Sequence, residues 1–300
     1  MKSKAIIRIV LFSLAILFLG SILLAVLCFN MFLADGKTHI REDHALVEPQ
    51  ETLKQEQISP DVRNIEIEWV AGSITITESA SVQDIHITEY APPHSKHQTI
   101  IKQSGETLKI KFSEESVKFF SFGTDIDYGK NLEIVVPAGW SCNSIEIDAA
   151  ASDVEVRNLR INELDFDGAS GLLVLDNCEI VNLDIDTASG DVEFIGTLKE
   201  LDFDAASAKF RGEFYQMPDR LNLDAMSGDM EIILPDYCYF TCELDTMSGN
   251  FDTDFAITQS KNGVYVYGNK DNACHIKISS MSSDVSILKG ISDPAENCNH

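Results

Sequence analysis

Apolar and polar residues alternate with period two along most of this chain, and one line of that alternation recurs. Its clearest copy is Leu183-Asp184-Ile185-Asp186-Thr187-Ala188-Ser189-Gly190-Asp191-Val192-Glu193-Phe194. The same twelve-residue pattern returns as Ile145–Val156, Leu164–Leu175, Leu201–Gly212, Leu221–Ile232, Cys242–Thr253 and Ile276–Ile287, with a more distant copy at Ile65–Ile76. From Ile145 onward, successive copies start 19, 19, 18, 20, 21 and 34 residues apart. A period near twenty residues marks a repeat architecture, in which one unit buries little alone and stacking builds the core.

Numbered from the first Leu or Ile, positions 1 and 3 are apolar and positions 2 and 4 mostly acidic. Period two turns the first pair inward and the second outward. Position 7 is Ser in six of the seven copies from Ile145 onward, with Ala151 the exception. Position 8 is small (Ser152, Gly171, Gly190, Ala208, Gly228, Gly249, Ser283), which relaxes the steric limits on a tight bend. Positions 10 and 12 are again mostly apolar. Each copy therefore predicts strand, corner, strand, and the chain predicts an all-β fold: a flattened parallel β-solenoid (β-helix-like) of ~20-residue coils. Equivalent strands would stack ~4.8 Å apart. An antiparallel meander could use the same turns, but stacking explains why the same side-chain types recur at the same positions. The longer last interval contains Thr258-Gln259-Ser260-Lys261-Asn262-Gly263-Val264-Tyr265, whose Asn-Gly pair predicts a β-hairpin.

Upstream, Ile65, Ile67, Ile74 and Ile76 alternate with polar residues, and Ile85-His86-Ile87, Leu108–Phe112 and Leu132–Pro137 read as further strands. Ala91 to His97 is a loop, and Ser113 to Lys130 a longer excursion bearing Phe119, Phe120, Phe122 and Tyr128.

The alternation fails at the start of the chain. Residues 9–33 form a run of 25 without a charge, long enough to span a ~30 Å hydrocarbon core. Its end lacks an A-x-A cleavage site, so it predicts an uncleaved transmembrane signal anchor. Lys2, Lys4 and Arg8 place residues 1–8 in the cytoplasm by the positive-inside rule, leaving the C-terminal part outside the cell. Residues 34–60 read as a polar stalk or linker, with a short helix allowed around Glu51–Gln57. Residues 61–289 are the repeat domain and 290–300 a frayed tail.

Charge narrows the partners. The formal net charge is −25, which excludes nucleic acid bound through a basic footprint and favours cations or a basic partner. The outward column Asp148, Asp167, Asp186, Asp204, Asp224 and Asp245 is the candidate metal site, with Ca²⁺ as the hard cation its carboxylates would suit. The spacing matches neither an EF-hand loop nor the Gly-rich nonapeptide repeat. The competing reading is local, with each Asp accepting turn N–H groups beside the Ser at position 7. Met226, Met247 and Met281 line up at position 6. A soft-metal site is one reading of that line, but Ala fills position 6 in earlier coils, so graded filling of a corner core is expected. His94 and His97 share a loop without a third ligand. The seven cysteines fit no zinc spacing, and isolated buried thiols are expected over bridges. No catalytic motif is present, and Lys209 and Arg211 are the only basic pair inside a copy. A non-enzymatic role follows: an adhesion or interaction module meeting a surface protein or glycan, or alternatively an envelope-stress regulatory accessory acting through a membrane partner.

Several of these residues carry a family resemblance: the Ile65–Ile76 opener, the Leu132–Pro137 strand leading into Ile145–Val156, the Ser-Gly-Asp corners, the Met230–Pro235 strand and the closing Ile276–Ile287 copy. Together they resemble a bacterial family of adhesin-like proteins with β-strand repeats that includes LiaG-like membrane-anchored proteins. The resemblance covers roughly residues 62–289. It implies an extracytoplasmic β-solenoid on a single anchor and brings no catalytic residues.

Overall fold

The computed structural model describes residues 50–290 apart from 93–94, 96–97, 114–128 and 269–272. The expected membrane segment 9–33 and two of the loop residues, His94 and His97, lie outside the described residues. Among the described residues no helix is long and apolar enough to cross a membrane. They are strands and turns throughout.

The chain opens with β1 (Glu51–Ile58), β2 (Asn64–Ser79), β3 (Ile85–Ala91), β4 (Ile100–Ser104), β5 (Thr107–Lys111) and β6 (Lys130–Pro137). The first of these corrects the sequence reading. Residues 51–58 form no helix or free linker but a strand antiparallel to β3, with Ile58 opposite Ile85. Its sequence, rich in Glu, Gln and Lys, is that of an edge strand kept soluble by charge. β2 is the first coil: its two halves pair in parallel with β5 and β6 and, on the other side, with the next coil along its whole length.

That next coil is β7 (Ser141–Arg157), followed by β8 (Arg160–Ser207), which runs through several corners without a break. β7 and β8 pair in parallel with Ile145 opposite Leu164 and Asp148 opposite Asp167. After them come β9 (Phe210–Phe214), β10 (Arg220–Ser227), β11 (Met230–Pro235), β12 (Phe240–Thr246), β13 (Phe251–Thr253), β14 (Gln259–Lys261), β15 (Val264–Tyr267), β16 (Cys274–Ser282) and β17 (Val285–Gly290). The parallel in-register stacking expected of the repeat is therefore present, with positions 1 and 3 of every copy from Ile65 onward buried or nearly so.

The stack does not follow chain order at its end. β10 pairs with β16, and β16 pairs with β12; beyond the corner β11 pairs with β17, and β17 with β13. The last copy, Ile276–Ile287, is thus inserted between Leu221–Ile232 and Cys242–Thr253. The expected hairpin makes this possible: β14 and β15 meet around Asn262 and Gly263, both at positive φ (52° and 76°). β15 then covers the outer edge of β12 in antiparallel pairing. The other end is capped by antiparallel strands too, β4 on β5 and β1 on β3. Repeat stacks need such capped ends because an open rung exposes backbone groups and core.

A buried ion pair sits inside the first cap. Lys130 Nζ lies 2.6 Å from Glu89 Oε1, with both side chains essentially inaccessible. It also donates to Thr99 Oγ1 at 2.7 Å and Phe112 O at 2.6 Å, and stands over the Phe112 ring at 4.2 Å. Burial pulls the Lys130 ammonium below its usual range against the opposing pull of Glu89.

The methionine expectation is also corrected. Period two continues through the corner approach, so position 5 faces inward (Ala149, Thr187, Ala225 and Ser280 are buried) and position 6 faces out. Met226, Met281 and Met247 are 44%, 52% and 80% exposed. They fill no core.

Candidate functional site

The corner fixes where the outer face lies. Gly72, Gly171, Gly228 and Gly249 occupy position 8 with φ between 111° and 131°. A Cβ on Gly228 would lie 1.7 Å from Ala208 O, one on Gly171 2.2 Å from Ser152 O, and one on Gly249 1.9 Å from Ser283 O. Gly171, Gly228 and Gly249 each rest on the carbonyl of a neighbouring corner that carries Ser or Ala in place of Gly, whereas Gly72 rests on Lys130 O. At these three contacts the copy that lacks the Ser-Gly pair is the partner of one that has it.

Carboxylates of the corner act across coils. Asp153 Oδ1 accepts Leu172 N at 3.0 Å, Asp191 Oδ1 accepts Lys209 N at 3.0 Å, and Asp284 Oδ1 accepts Asn250 N at 2.8 Å. These are position-9 residues bonding the position-9 amide of the adjacent coil. Within the corner, Thr187 Oγ1 accepts Gly190 N at 3.0 Å and Ser280 Oγ accepts Ser282 N at 3.1 Å. The turn-capping role expected of the position-4 aspartates thus falls to hydroxyls at position 5 and carboxylates at position 9.

Position 4 is left to make a face. Glu68 stands opposite Asp148, Asp148 opposite Asp167, and Asp204 opposite Asp224, while Asp186 feels Asp204 and Asp167 directly. Five of the six expected residues (Asp148, Asp167, Asp186, Asp204, Asp224) form one run. The sixth, Asp245, is separated from Asp224 by Ser279 of the inserted coil. Position 2 runs beside it, with Glu66 opposite Glu146, Glu146 opposite Asp165, and Asp202 opposite Asn222. Neighbours ~4.8 Å apart repel by about 0.9 kcal/mol even in bulk water.

Basic side chains meet these columns at both ends. Lys109 and Lys111 of β5 pair with Glu66 and Glu68. At the other end Arg220 meets Glu200 at 2.6 Å and Asp202 at 3.5 Å, Asn222 donates to Asp202 at 2.7 Å, and Lys277 lies between Asn222 and Glu243. The carboxyls of Glu146 and Asp148 are raised by partial desolvation and by neighbouring acids, with Lys109 and Lys111 pulling the other way. In the centre nothing pulls back. Desolvation, then Asp167 and Glu163, raise Asp165; desolvation, then Asp165, Asp202, Asp167 and Glu163, raise Asp184. Asp186 is pushed up to about 6, first by desolvation and then by Asp204, Asp167, Asp184 and Asp165. Such a face attracts cationic groups and is held together by the core beneath it. Among the described residues no three His, Cys, Asp or Glu converge as a metal-ion ligand set.

Thiols lie elsewhere. Cys142, Cys178, Cys238, Cys242 and Cys274 are buried and unbridged, as expected of isolated thiols; Cys28 and Cys298 lie outside the described residues. Burial raises Cys142 to about 12 and Cys178 to about 11, so neither is a thiolate near neutral pH.

The family model described as Toastrack DUF4097 matches residues 62–288. No curated protein matches the sequence. Among solved structures, the chain is similar to a putative cell adhesion protein from Clostridium sporogenes (10% identity, 81% of this chain and 100% of that one, TM-score 0.40). It is also similar to a putative adhesin from Bacteroides fragilis (15%, 80% and 96%, 0.44). A third likeness is to a putative adhesin from Parabacteroides distasonis (11%, 81% and 98%, 0.38).

Proposed function

Because the chain belongs to the Toastrack DUF4097 family, we propose that it is a non-catalytic interaction module of the bacterial cell surface, docking a basic protein partner on its acidic outer sheet. One observation carries this reading: the centre of that sheet is a two-column array of carboxylates with no basic neighbour among the groups that perturb Asp165, Asp184 and Asp186. The array destabilises the coils it decorates. The corners and core that hold the fold do not require it, so its use lies in what it attracts.

Residues 9–33 supply the membrane anchor in this reading, with Lys2, Lys4 and Arg8 inside and the repeat domain outside. Regulation of a membrane partner, the alternative role, would run through the anchor. Capture of surface protein by the full chain and by a chain lacking residues 1–33 separates the two. Equal, salt-sensitive capture supports the surface module; capture lost with the anchor supports the membrane-partner role.

A second reading assigns Ca²⁺ to the run Asp148, Asp167, Asp186, Asp204 and Asp224, favoured by the lateral register of these carboxylates. Saturable heat and a rise in Tm on titration with Ca²⁺ would support it. No heat and no Tm shift would remove it.

A further inference from the structure

We propose that Met226, Met281 and Met247 form a binding site for one soft monovalent cation, Cu(I) or Ag(I). The three side chains belong to adjacent strands. β10 pairs with β16 with Ala225 opposite Ser280 and Ser227 opposite Ser282, which sets Met226 beside Met281. β16 pairs with β12, Thr246 stands opposite Ser280, and Met247 N donates to Ser280 O at 3.3 Å, which sets Met247 on the other side of Met281. Met281 is therefore the middle of the row, although it is the last of the three in the chain. All three thioethers are exposed.

Adjacent strands space the three Cα atoms by ~4.8 Å, and each sulfur swings on two rotatable bonds of an unbranched side chain. The outer sulfurs can swing toward the central one, so all three can reach a single ion. Thioethers are soft, neutral donors that select Cu(I) over hard cations. A neutral three-sulfur set leaves the ion's charge uncompensated, and the neighbouring column supplies the compensation: Asp224 and Asp245 lie two residues before Met226 and Met247 on the same outward face. The corresponding positions in coils that lack Met carry Val70, Ala150, Ala169, Ala188 and Ala206. Exposed Met in place of Ala gains nothing in the core, and three of them in contiguous coils place sulfur where the fold does not use it. The three-sulfur set shares Asp224 with the acidic face but does not require that a protein partner docks there.

The test uses the full chain in detergent, labelled with ¹³C at the methionine methyls, with Ag⁺ as a redox-stable probe. The chain has seven methionines, so four resonances serve as internal controls. One equivalent of Ag⁺ is expected to shift Met226, Met247 and Met281 together and to leave Met217 and Met230 in place, while millimolar Ca²⁺ moves none of them. Met281→Leu, a volume-conserving change at an exposed position, is expected to weaken binding at least tenfold and to release the other two resonances. Thiols are the competing soft ligands, so the triple Met→Leu chain is titrated beside the wild type. Tight uptake of the first equivalent retained by the triple variant would overturn the proposal, as would three methyl shifts that saturate at separate stoichiometries.

Discussion

The corner and the outer face are drawn from the same twelve-residue line, yet they recur for opposite reasons. At the corner, Gly228 has no room for a side chain, and Asp191 and Asp284 each bond an amide of the next coil. There the repetition is a requirement of backbone approach. On the face, partial desolvation and then neighbouring carboxylates make Asp165, Asp184 and Asp186 harder to ionise. That repetition costs stability and is retained despite it. A repeated residue is therefore no guide to what it does until its neighbours in the adjacent coil are known.

Substitution at the corner should have the largest effect. Gly228→Ala combines a positive φ with a Cβ in contact with Ala208 O and is expected to cost about 3–5 kcal/mol, read as a lower denaturation midpoint. Ala208→Gly, on the receiving side of the same contact, should change little, which separates the clash from a general sensitivity of corners. Asp191→Ala removes the bond to Lys209 N and should cost about 1 kcal/mol.

On the face the sign reverses. Asp186 ionises near 6 in the folded chain, above the ~3.9 of an unfolded Asp. The folded state thus holds the proton more tightly. The cost of its charge is absent below about pH 4, grows as pH rises through about 6 and is complete above it. Asp186→Asn should stabilise the chain at pH 7 by about 1 kcal/mol, a figure well below the full pKa shift because solvent screens a half-exposed group. It should also flatten the stability profile between about pH 4 and 6. A destabilised Asp186→Asn would show that the carboxylate has a structural role after all. The smallest effect belongs to the compensated end: Lys109→Met with Lys111→Met should lower stability measurably at low ionic strength and not at physiological salt.

The period-two pattern made much of the architecture legible. It located the coils, the corners, the Asn262-Gly263 hairpin and the acidic column, because strand alternation and stacking leave a direct trace in residue order. It failed where the partner is remote in sequence. β1 is polar and becomes a strand only because β3 offers an edge. The placement of Ile276–Ile287 inside the stack depends on a hairpin folding back, which residue order does not encode. Position 6 is illegible in the sequence because inward Ala and outward Ala look alike until Met replaces them. The burial of Lys130 against Glu89 left no signal, since the ion pair, Thr99 and Phe112 come together only in the cap.

The central claim is that the acidic centre serves recognition and not the fold. One variant tests it: Asp165→Asn, Asp167→Asn, Asp184→Asn and Asp186→Asn in the full chain, measured for thermal stability and for binding of an oligolysine peptide at low and physiological salt. The account predicts a Tm at or above that of the wild type, together with at least tenfold weaker, salt-sensitive binding. A lower Tm, or peptide binding undiminished by loss of the four charges, would contradict it.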